Sequence, residues 1–575
     1  MKVKLLLLLL LAFQINQMSA QRELWGISKG YDSFDPEFPD NYGNIFKVNI
    51  YGQNKTVMHE FNSANGKFPD GRILLASDGK IYGTTTDGGI TASNPNFGYG
   101  VLYQYNLEID QFRVVQFFNG DPPYIANPGS GLIETSPGTL FGTTIAPGKI
   151  YKYNIATELV TFSANVPNFN SGGLVTQNEI TGELFKASNG MLYGTSKRYS
   201  SCLNAQPFLG SIVRLNPTNN AFSYIHPFNC SITGGMTPNG SLVDGTPGKL
   251  YGTTYLGGDN GYENSGYGNG VLFEYDFIAN TYTKKFDFDA QTTGTAAGPL
   301  INGGNGKLYG VLGAGNGIRG SENYYGALYE YDIQTNTLNI LKHFGTEVPS
   351  IAWPKGKLLK AADGNLYGVC QTGIFKYDFT TSDVTLITLN AYADEITSII
   401  EICRKPSYHE FTVDTFTPCV DTPFSFDLQN TNATSYIWRK NGTIIPSQST
   451  GILMFTNITT SDNGDYACEM VNECGTTITM TLHINVGCLG VTEMAVYNDK
   501  ITLYPNPANT IVNINLPENE TLKTMSCAIY NVLGQTVYEN KFQSQQIDVR
   551  NFPSGIYNIN IKTDKWNWFG KFVKQ

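Results

Sequence analysis

The chain has 575 residues, 61 of them glycine, with 13% aromatic and only 15% charged side chains, and 48 acidic against 38 basic residues give a formal net charge of −10. At about 150 residues per domain this length predicts three or four domains and excludes a single small module. Glycine above the usual ~7% and charge below the usual ~25% predict an all-β chain rich in turns, and the acidic balance excludes general affinity for nucleic acid or anionic lipid.

Residues 1 to 20 carry Lys2 and Lys4, the apolar run Leu5 to Leu11, and Gln17-Met18-Ser19-Ala20. That is the pattern of a secretory signal peptide, with cleavage expected between Ala20 and Gln21. The run is far shorter than the ~20 residues that span a bilayer. No later segment is apolar enough either, so no transmembrane segment is expected in the mature chain.

A phrase of one apolar residue, one aromatic and glycine then recurs seven times: Leu24-Trp25-Gly26, Ile81-Tyr82-Gly83, Leu140-Phe141-Gly142, Leu192-Tyr193-Gly194, Leu250-Tyr251-Gly252, Leu308-Tyr309-Gly310 and Leu366-Tyr367-Gly368. Successive glycines stand 57, 59, 52, 58, 58 and 58 residues apart. Tight-turn pairs such as Asp78-Gly79 and Asn305-Gly306 precede the phrase, and alternating runs such as Val271-Leu272-Phe273-Glu274-Tyr275 follow it, so each unit predicts four antiparallel strands. Seven such units predict a seven-bladed β-propeller over residues 21–403. The first unit lacks an inner strand, and the run 396–402 is expected to supply it, closing the ring and removing its open edges. With Leu-Tyr-Gly-Thr-Thr intact at Leu250 to Thr254, residues 22–403 resemble the tandem repeat named for Gloeobacter and Verrucomicrobia. The resemblance implies a propeller in a secreted bacterial protein and implies little about activity.

Chain geometry places the long connections, Ser28 to Asn44, Thr86 to Gly100, Ser196 to Gly210, Tyr255 to Gly270 and Leu312 to Gly326, on one rim. Long loops gathered on a rigid scaffold are the expected binding face. Its candidate ligand contacts are Tyr31, Asp32, Asp35, Tyr42, Tyr99, Asp259, Tyr262, Glu263, Arg319, Glu322 and Tyr324, rings and hydrogen-bonding groups suited to a glycan or a protein. Taken singly, such rings more often pack loops than bind ligands. Cys202 and Cys230 fall on the same rim and are disulfide candidates in an oxidising compartment.

No catalytic residue and no cofactor or metal is assigned. The five histidines, His59, His226, His343, His409 and His483, are isolated from one another and from cysteine, and neither a phosphate-cradling loop nor a serine elbow is present. Asp287 with Asp289, or Asp32 with Asp35 and Asp40, could hold calcium or act as an acid/base pair, although solvated acid loops are the commoner outcome.

The period breaks at residues 408–487, where Trp438 and Lys440-Asn441-Gly442 precede Asp462-Asn463-Gly464-Asp465-Tyr466-Ala467-Cys468. This resembles a bacterial immunoglobulin-like domain, a β-sandwich, with Phe424 and Phe426 where a partner cysteine would sit. Cys419, Cys468, Cys474 and Cys488 permit three pairings, of which Cys468 with Cys474 and Cys419 with Cys488 are favoured. Cys370 or Cys527 is the expected free thiol. The domain serves either adhesion or spacing.

A linker at 488–500 leads to residues 501–575, expected as a small β-sandwich. Tyr504-Pro505-Asn506-Pro507, the turn at Gly534, Gly555 with Tyr557, and a basic end resemble the type A sorting domain of the type IX secretion pathway. The resemblance implies transport across the outer membrane, with the product released or held at the cell surface. The expectation is a monomeric, exported binding protein whose partners are the type IX machinery and a glycan or protein ligand. The alternatives are a secreted glycan hydrolase or lyase using rim carboxylates, and a structural envelope or adhesion component.

Overall fold

The glycine of the repeated phrase is required by the ring that lies on it. A Cβ on Gly252 would stand 2.6 Å from Phe273 Cζ, and at Gly83, Gly142, Gly310 and Gly368 it would meet Tyr103, Tyr151, Tyr329 and Phe375 at 2.3, 2.4, 2.5 and 2.3 Å. Each of those rings sits directly opposite its glycine on the next strand. The turn upstream serves the phenol of the phrase. Tyr82 donates to Asp78 Oδ2 and Tyr367 to Asp363 Oδ2, both at 2.9 Å, while the Asn189 and Asn305 amides donate to Tyr193 and Tyr309 at 2.9 Å. An Asp-Gly or Asn-Gly pair therefore both reverses the chain and satisfies a buried hydroxyl. The threonine after the phrase ties neighbouring units, since Thr195 donates to the Gly240 carbonyl at 2.7 Å and Thr253 to the Gly298 carbonyl at 3.5 Å.

The computed structural model describes residues 22–575 apart from 31–39, 90–97, 119–125, 146–147, 167–168, 172–173, 177–178, 198–208, 230–231, 260–267, 290–293, 297, 314–324, 346, 349, 390–394, 409–412, 429–431, 488–501, 516–525, 533–534, 542–544 and 563–566. The protein is all-β, and among the described residues no helix is long and apolar enough to cross a membrane. The signal-cleavage positions Ala20 and Gln21 lie outside the described residues.

Among the described residues of 22–403 the strands form seven successive sheets of four or five strands, besides one small two-stranded sheet. The fifth sheet is typical, with Met236–Asp244, Lys249–Leu256, Val271–Asp276 and Thr281–Asp287 paired in chain order. The first is completed from afar: Ile396–Cys403 pairs antiparallel with Arg22–Ser28, from Arg22↔Cys403 to Ser28↔Ile396. Apolar faces of adjacent sheets share clusters. Ile400 and Ile402 pack with Trp25, Ile45, Ile81 and Tyr103, while Ile396 and Ile399 pack with Leu24, Phe46 and Tyr367.

Two histidines sit between sheets. His59 lies flat on Phe112 with centroids 3.5 Å apart, and His226 on Tyr282 at 4.0 Å. Burial lowers each imidazole from the ordinary 6.5 to about 4. Between those values the unfolded chain binds protons that the folded chain refuses, so stability is full above pH 6.5 and declines as pH falls toward 4. Urea midpoints measured across that window should fall in the wild type and stay flatter in His59→Gln/His226→Gln. Equal slopes in both would remove the histidines from the account.

Two compact units emerge. The first runs through Asp414 and includes Ser425–Met454 and Asp465–Leu482. In its later part Ser435–Lys440 pairs with Gly464–Asn472, placing the buried Trp438 opposite the buried Cys468. Here the favoured pairing of Cys468 with Cys474 is corrected. Cys468 points into the core in mid-strand as a free thiol, pushed up to about 12 by burial, whereas Cys474 lies in the turn beyond the strand and bonds Cys403. Cys370 and Cys527 are free and buried, and Cys419 is disulfide-bonded. Cys488, Cys202 and Cys230 lie outside the described residues.

The second unit comprises Thr415–Phe424, Phe455–Gly464 and His483–Gln575. Its C-terminal part has a three-stranded sheet, Thr502–Tyr504, Ile511–Asn515 and Gln546–Asp548, and a four-stranded one, Thr536–Lys541, Ser526–Asn531, Gly555–Lys562 and Asn567–Lys574. Val512, Ile514 and Ile547 from the first share one core with Ile529, Ile559, Ile561 and Phe572 from the second.

Candidate functional site

At the inner edge of each sheet, within or next to its innermost strand, runs a second repeated pattern, in which a small residue, a variable residue and a leucine or isoleucine follow one another. It reads Gly71-Arg72-Ile73, Ser130-Gly131-Leu132, Gly182-Glu183-Leu184, Gly240-Ser241-Leu242, Gly298-Pro299-Leu300, Gly356-Lys357-Leu358 and Thr397-Ser398-Ile399. In the fourth, fifth and seventh sheets the ladder skips these three residues. Gly182 and Gly240 make that detour with φ of +81° and +82°, a region open to glycine. The apolar third residue is buried every time, at 3% exposure or less. The variable residue then faces the other way, and the seven together line one cavity of about 130 Å³.

Three of the seven are charged. Arg72 Nη1 lies 3.1 Å from Glu183 Oε1, and Lys357 Nζ bonds the same oxygen. Burial works to raise the Glu183 carboxyl, but Lys357 and Arg72 outweigh it and hold the group below its ordinary value. Burial also dominates at Lys357 and pulls its ammonium below the ordinary lysine value despite Glu183. Asp70, also on the cavity wall, is neutralised by Lys29 at 2.7 Å. The Thr397 and Ser398 hydroxyls on the wall are buried and have no hydrogen-bond partner among the described residues. The sheet-by-sheet recurrence of the small-variable-leucine pattern is the signal in the sequence for this cluster, whose three charged residues stand at no paired-carboxylate or metal-ligand spacing.

Just upstream, four residues before proline lie in the left-handed region: Phe68 (φ +56°), Asn127 (+51°), Thr237 (+53°) and Trp353 (+48°). Left-handed backbone ahead of proline is strained for any side chain larger than hydrogen, and such strain gathers at binding sites. Phe68 and Asn127 line a cavity of about 360 Å³ with Lys29, Asp70, Thr86, Asp87 and Ile145, and Asp70 borders the 130 Å³ cavity as well. Trp353, 40% exposed, lines another of about 450 Å³ with Gly313, Pro354, Lys355 and Gln371. Lys29, Asp87 and Gly313 stand at the strand ends from which the long connections depart, so both cavities lie on the long-loop side.

Of the expected rim contacts, Tyr42 donates to Asp40 Oδ2 at 2.6 Å, a bond that raises its phenol above the ordinary value, and packs 4.3 Å from Lys67 Nζ. Tyr99 packs against the core cluster around Tyr82 and Tyr151. Asp259 pairs with Lys284, which also pairs with Asp287 at 2.8 Å. These two acids are therefore bridged by an ammonium. Tyr31, Asp32, Asp35, Tyr262, Glu263, Arg319, Glu322 and Tyr324 lie outside the described residues.

In the sorting motif, the Asn506 side chain accepts from Val573 N at 2.9 Å and donates to the Lys571 carbonyl at 3.1 Å, which ties Tyr504-Pro505-Asn506-Pro507 to the last strand. Tyr557 donates to the Pro553 carbonyl at 2.8 Å, two residues before Gly555. Gly534 lies outside the described residues.

Residues 146–382 match the Gloeobacter/Verrucomicrobia repeat, and residues 502–575 match the secretion system C-terminal sorting domain. Together they mark a secreted bacterial protein, and the sorting domain indicates export across the outer membrane by the type IX route. An endo-acting ulvan lyase of Formosa agariphila is 36% identical over 87 residues, 15% of this chain and 16% of that one. Hemicentin-1 of Homo sapiens is 28% identical over 156 residues, 23% of this chain and 3% of that one. The chain thus spans less than a fifth of either relative. Similar solved structures include a chain of a nidogen/laminin complex, with 11% identity, TM-score 0.33 and coverage of 53% of this chain and 95% of that one. A Bacteroides thetaiotaomicron protein of unknown function has 11% identity, TM-score 0.29 and coverage of 50% and 72%.

Proposed function

We propose that residues 22–403 form a seven-bladed β-propeller, closed by Ile396–Cys403, whose long-loop rim binds a glycan outside the cell. The part built around Trp438 is an immunoglobulin-like spacer in this reading. The observation that carries it is the set of strained positions before proline, Phe68, Asn127, Thr237 and Trp353, which differ in chemistry while sharing one backbone geometry. A fixed backbone bearing varied side chains at the mouth of a scaffold suits recognition more than packing. Trp353 offers an aromatic face beside a cavity within the ~300–1,000 Å³ range of ligand sites, and the other cavity mixes Phe68 and Ile145 with Lys29, Asp87 and Asn127. Type IX export supports a role outside the cell.

The test is retention of the full secreted chain on immobilised neutral and acidic polysaccharides, with the supernatant assayed for released oligosaccharide. Retention by the wild type that falls at least tenfold in Trp353→Ala is the expected result. Product release lost on removing a rim carboxylate would replace the binding reading by the enzyme one. Absence of retention on every matrix would favour a structural component.

A further inference from the structure

The inner strands bring two cations and one carboxylate to the cavity wall from sheets far apart in sequence, Arg72 lying 111 and Lys357 174 residues from Glu183. Both cations use the same carboxylate oxygen, Glu183 Oε1. Among the described residues the only other charged side chain on the wall, Asp70, is paired with Lys29, so one positive charge of the described lining stays uncompensated there. An exposed Asp244 contributes attraction to Lys357 from farther off. The Arg72 and Lys357 side chains are only 33% and 20% exposed, so an excess cation there is partly desolvated and favours a joining anion. The second observation is independent of charge. Ser398 is 7% exposed, and its hydroxyl and that of Thr397 are buried on the same wall with no partner among the described residues. Hydroxyl donors left unpaired beside an excess cation are the complement of an oxyanion.

We infer that this cavity is an oxyanion site, in which Lys357 and Arg72 supply the charge and Ser398 and Thr397 donate to a carboxylate or sulfate group. Glu183 competes with that anion for the same two cations. The volume of about 130 Å³ has room for one such group with its attached carbon. Asp70 borders both this cavity and the 360 Å³ cavity on the long-loop side. An acid group carried by a rim-bound glycan can therefore enter from there, and on that point the inference rests on the glycan reading. A free small oxyanion would use the same chemistry.

The experiment is calorimetric titration of the full secreted chain with sodium galacturonate, sodium sulfate and, as the neutral arm, methyl galactoside. Saturable binding of galacturonate or sulfate and none of methyl galactoside is expected. Sulfate binding without galacturonate binding assigns the site to a free oxyanion or sulfate ester. Lys357→Gln should weaken binding at least tenfold, and Glu183→Gln, which removes the competing carboxylate, should tighten it severalfold. Ser398→Ala should weaken binding while leaving the thermal midpoint of the unliganded protein unchanged or raised, because its hydroxyl has no partner to lose. That variant keeps the test decisive if Lys357→Gln fails to fold. Absence of saturable anion binding, or binding indifferent to both Glu183→Gln and Ser398→Ala, overturns the site and leaves the cluster as a strut between sheets. Polysaccharide retention that depends on Trp353 but ignores Lys357 and Ser398 would sink this inference while the rim reading stood. Anion binding without polysaccharide retention would do the reverse.

Discussion

Replacing Ile399 and Ile402 together by alanine should unravel the first sheet and with it most of the stability of the repeat region. Ile399 is 3% exposed and Ile402 1%. The first belongs to the cluster of Leu24, Phe46 and Tyr367, and the second to the cluster of Trp25, Ile45 and Tyr103. Each truncation removes buried methyl groups and leaves a cavity, at roughly 2–5 kcal/mol. Because the two sites share no cluster the losses should add, giving roughly 4–10 kcal/mol against the ~5–15 kcal/mol that holds a typical domain together. The effect is larger than for an ordinary core pair because this strand is the only hydrogen-bonded neighbour of Arg22–Ser28 on its inner side. Amides of Leu24 to Ile27 should lose hydrogen-exchange protection before those of the fourth and fifth sheets. Ile556→Ala, at a residue 40% exposed, is the control and should shift stability by less than about 0.5 kcal/mol. A double variant within about 1 kcal/mol of wild type would mean that the strand Ile396–Cys403 is dispensable.

What the sequence discloses and what it withholds divide along one physical line. The phrase at Leu250-Tyr251-Gly252 is legible because close approach of Phe273 to Gly252 recurs in nearly every unit, and recurrence writes itself as a period. The strand Ile396–Cys403 is legible for a related reason: its alternation needs a partner, and the N-terminal strand lacks one. The wall cluster's position is legible in the recurring small-variable-leucine pattern, but its chemistry is not, because the chemistry lies in the position that does not recur. Arg72, Glu183 and Lys357 each follow a glycine and precede a buried apolar residue, and only the sheets place those changing residues side by side. The strain at Phe68 and Trp353 is hidden likewise, since a residue before proline reads as extended chain. Much of the long-loop rim, expected from loop length alone, has its candidate residues outside the described part of the chain, so the rim rests on Phe68, Asn127, Thr237 and Trp353.

Breaking the Cys403–Cys474 bond should divide urea unfolding into two separate transitions. The bond closes a loop of 71 residues, and a cross-link of that span limits the unfolded chain enough to contribute about 4 kcal/mol. Cysteine pairing by sequence proximity could not find it. Cys403 ends the strand Ile396–Cys403, and Cys474 reaches it only because the turn after Gly464–Asn472 docks there: Asn472 Nδ2 donates to the Arg404 carbonyl at 2.9 Å, and Arg22 Nε lies 3.0 Å from Glu473. Those contacts survive in Cys403→Ser/Cys474→Ser but are weaker and partly exposed, Glu473 at 40%. Such pairs are worth at most about 1 kcal/mol each and are screened over a Debye length of about 10 Å at 0.1 M salt. The variant should therefore show an early transition, reported by the buried Trp438, that moves to lower urea as salt is raised. A later one, reported by Trp25 in the repeat region, should stay near the wild-type midpoint. A single transition at the wild-type midpoint in the variant would show that the hydrogen bonds of Asn472 hold this joint without the disulfide. Separation that appears only at high salt would assign the larger share to Arg22 and Glu473.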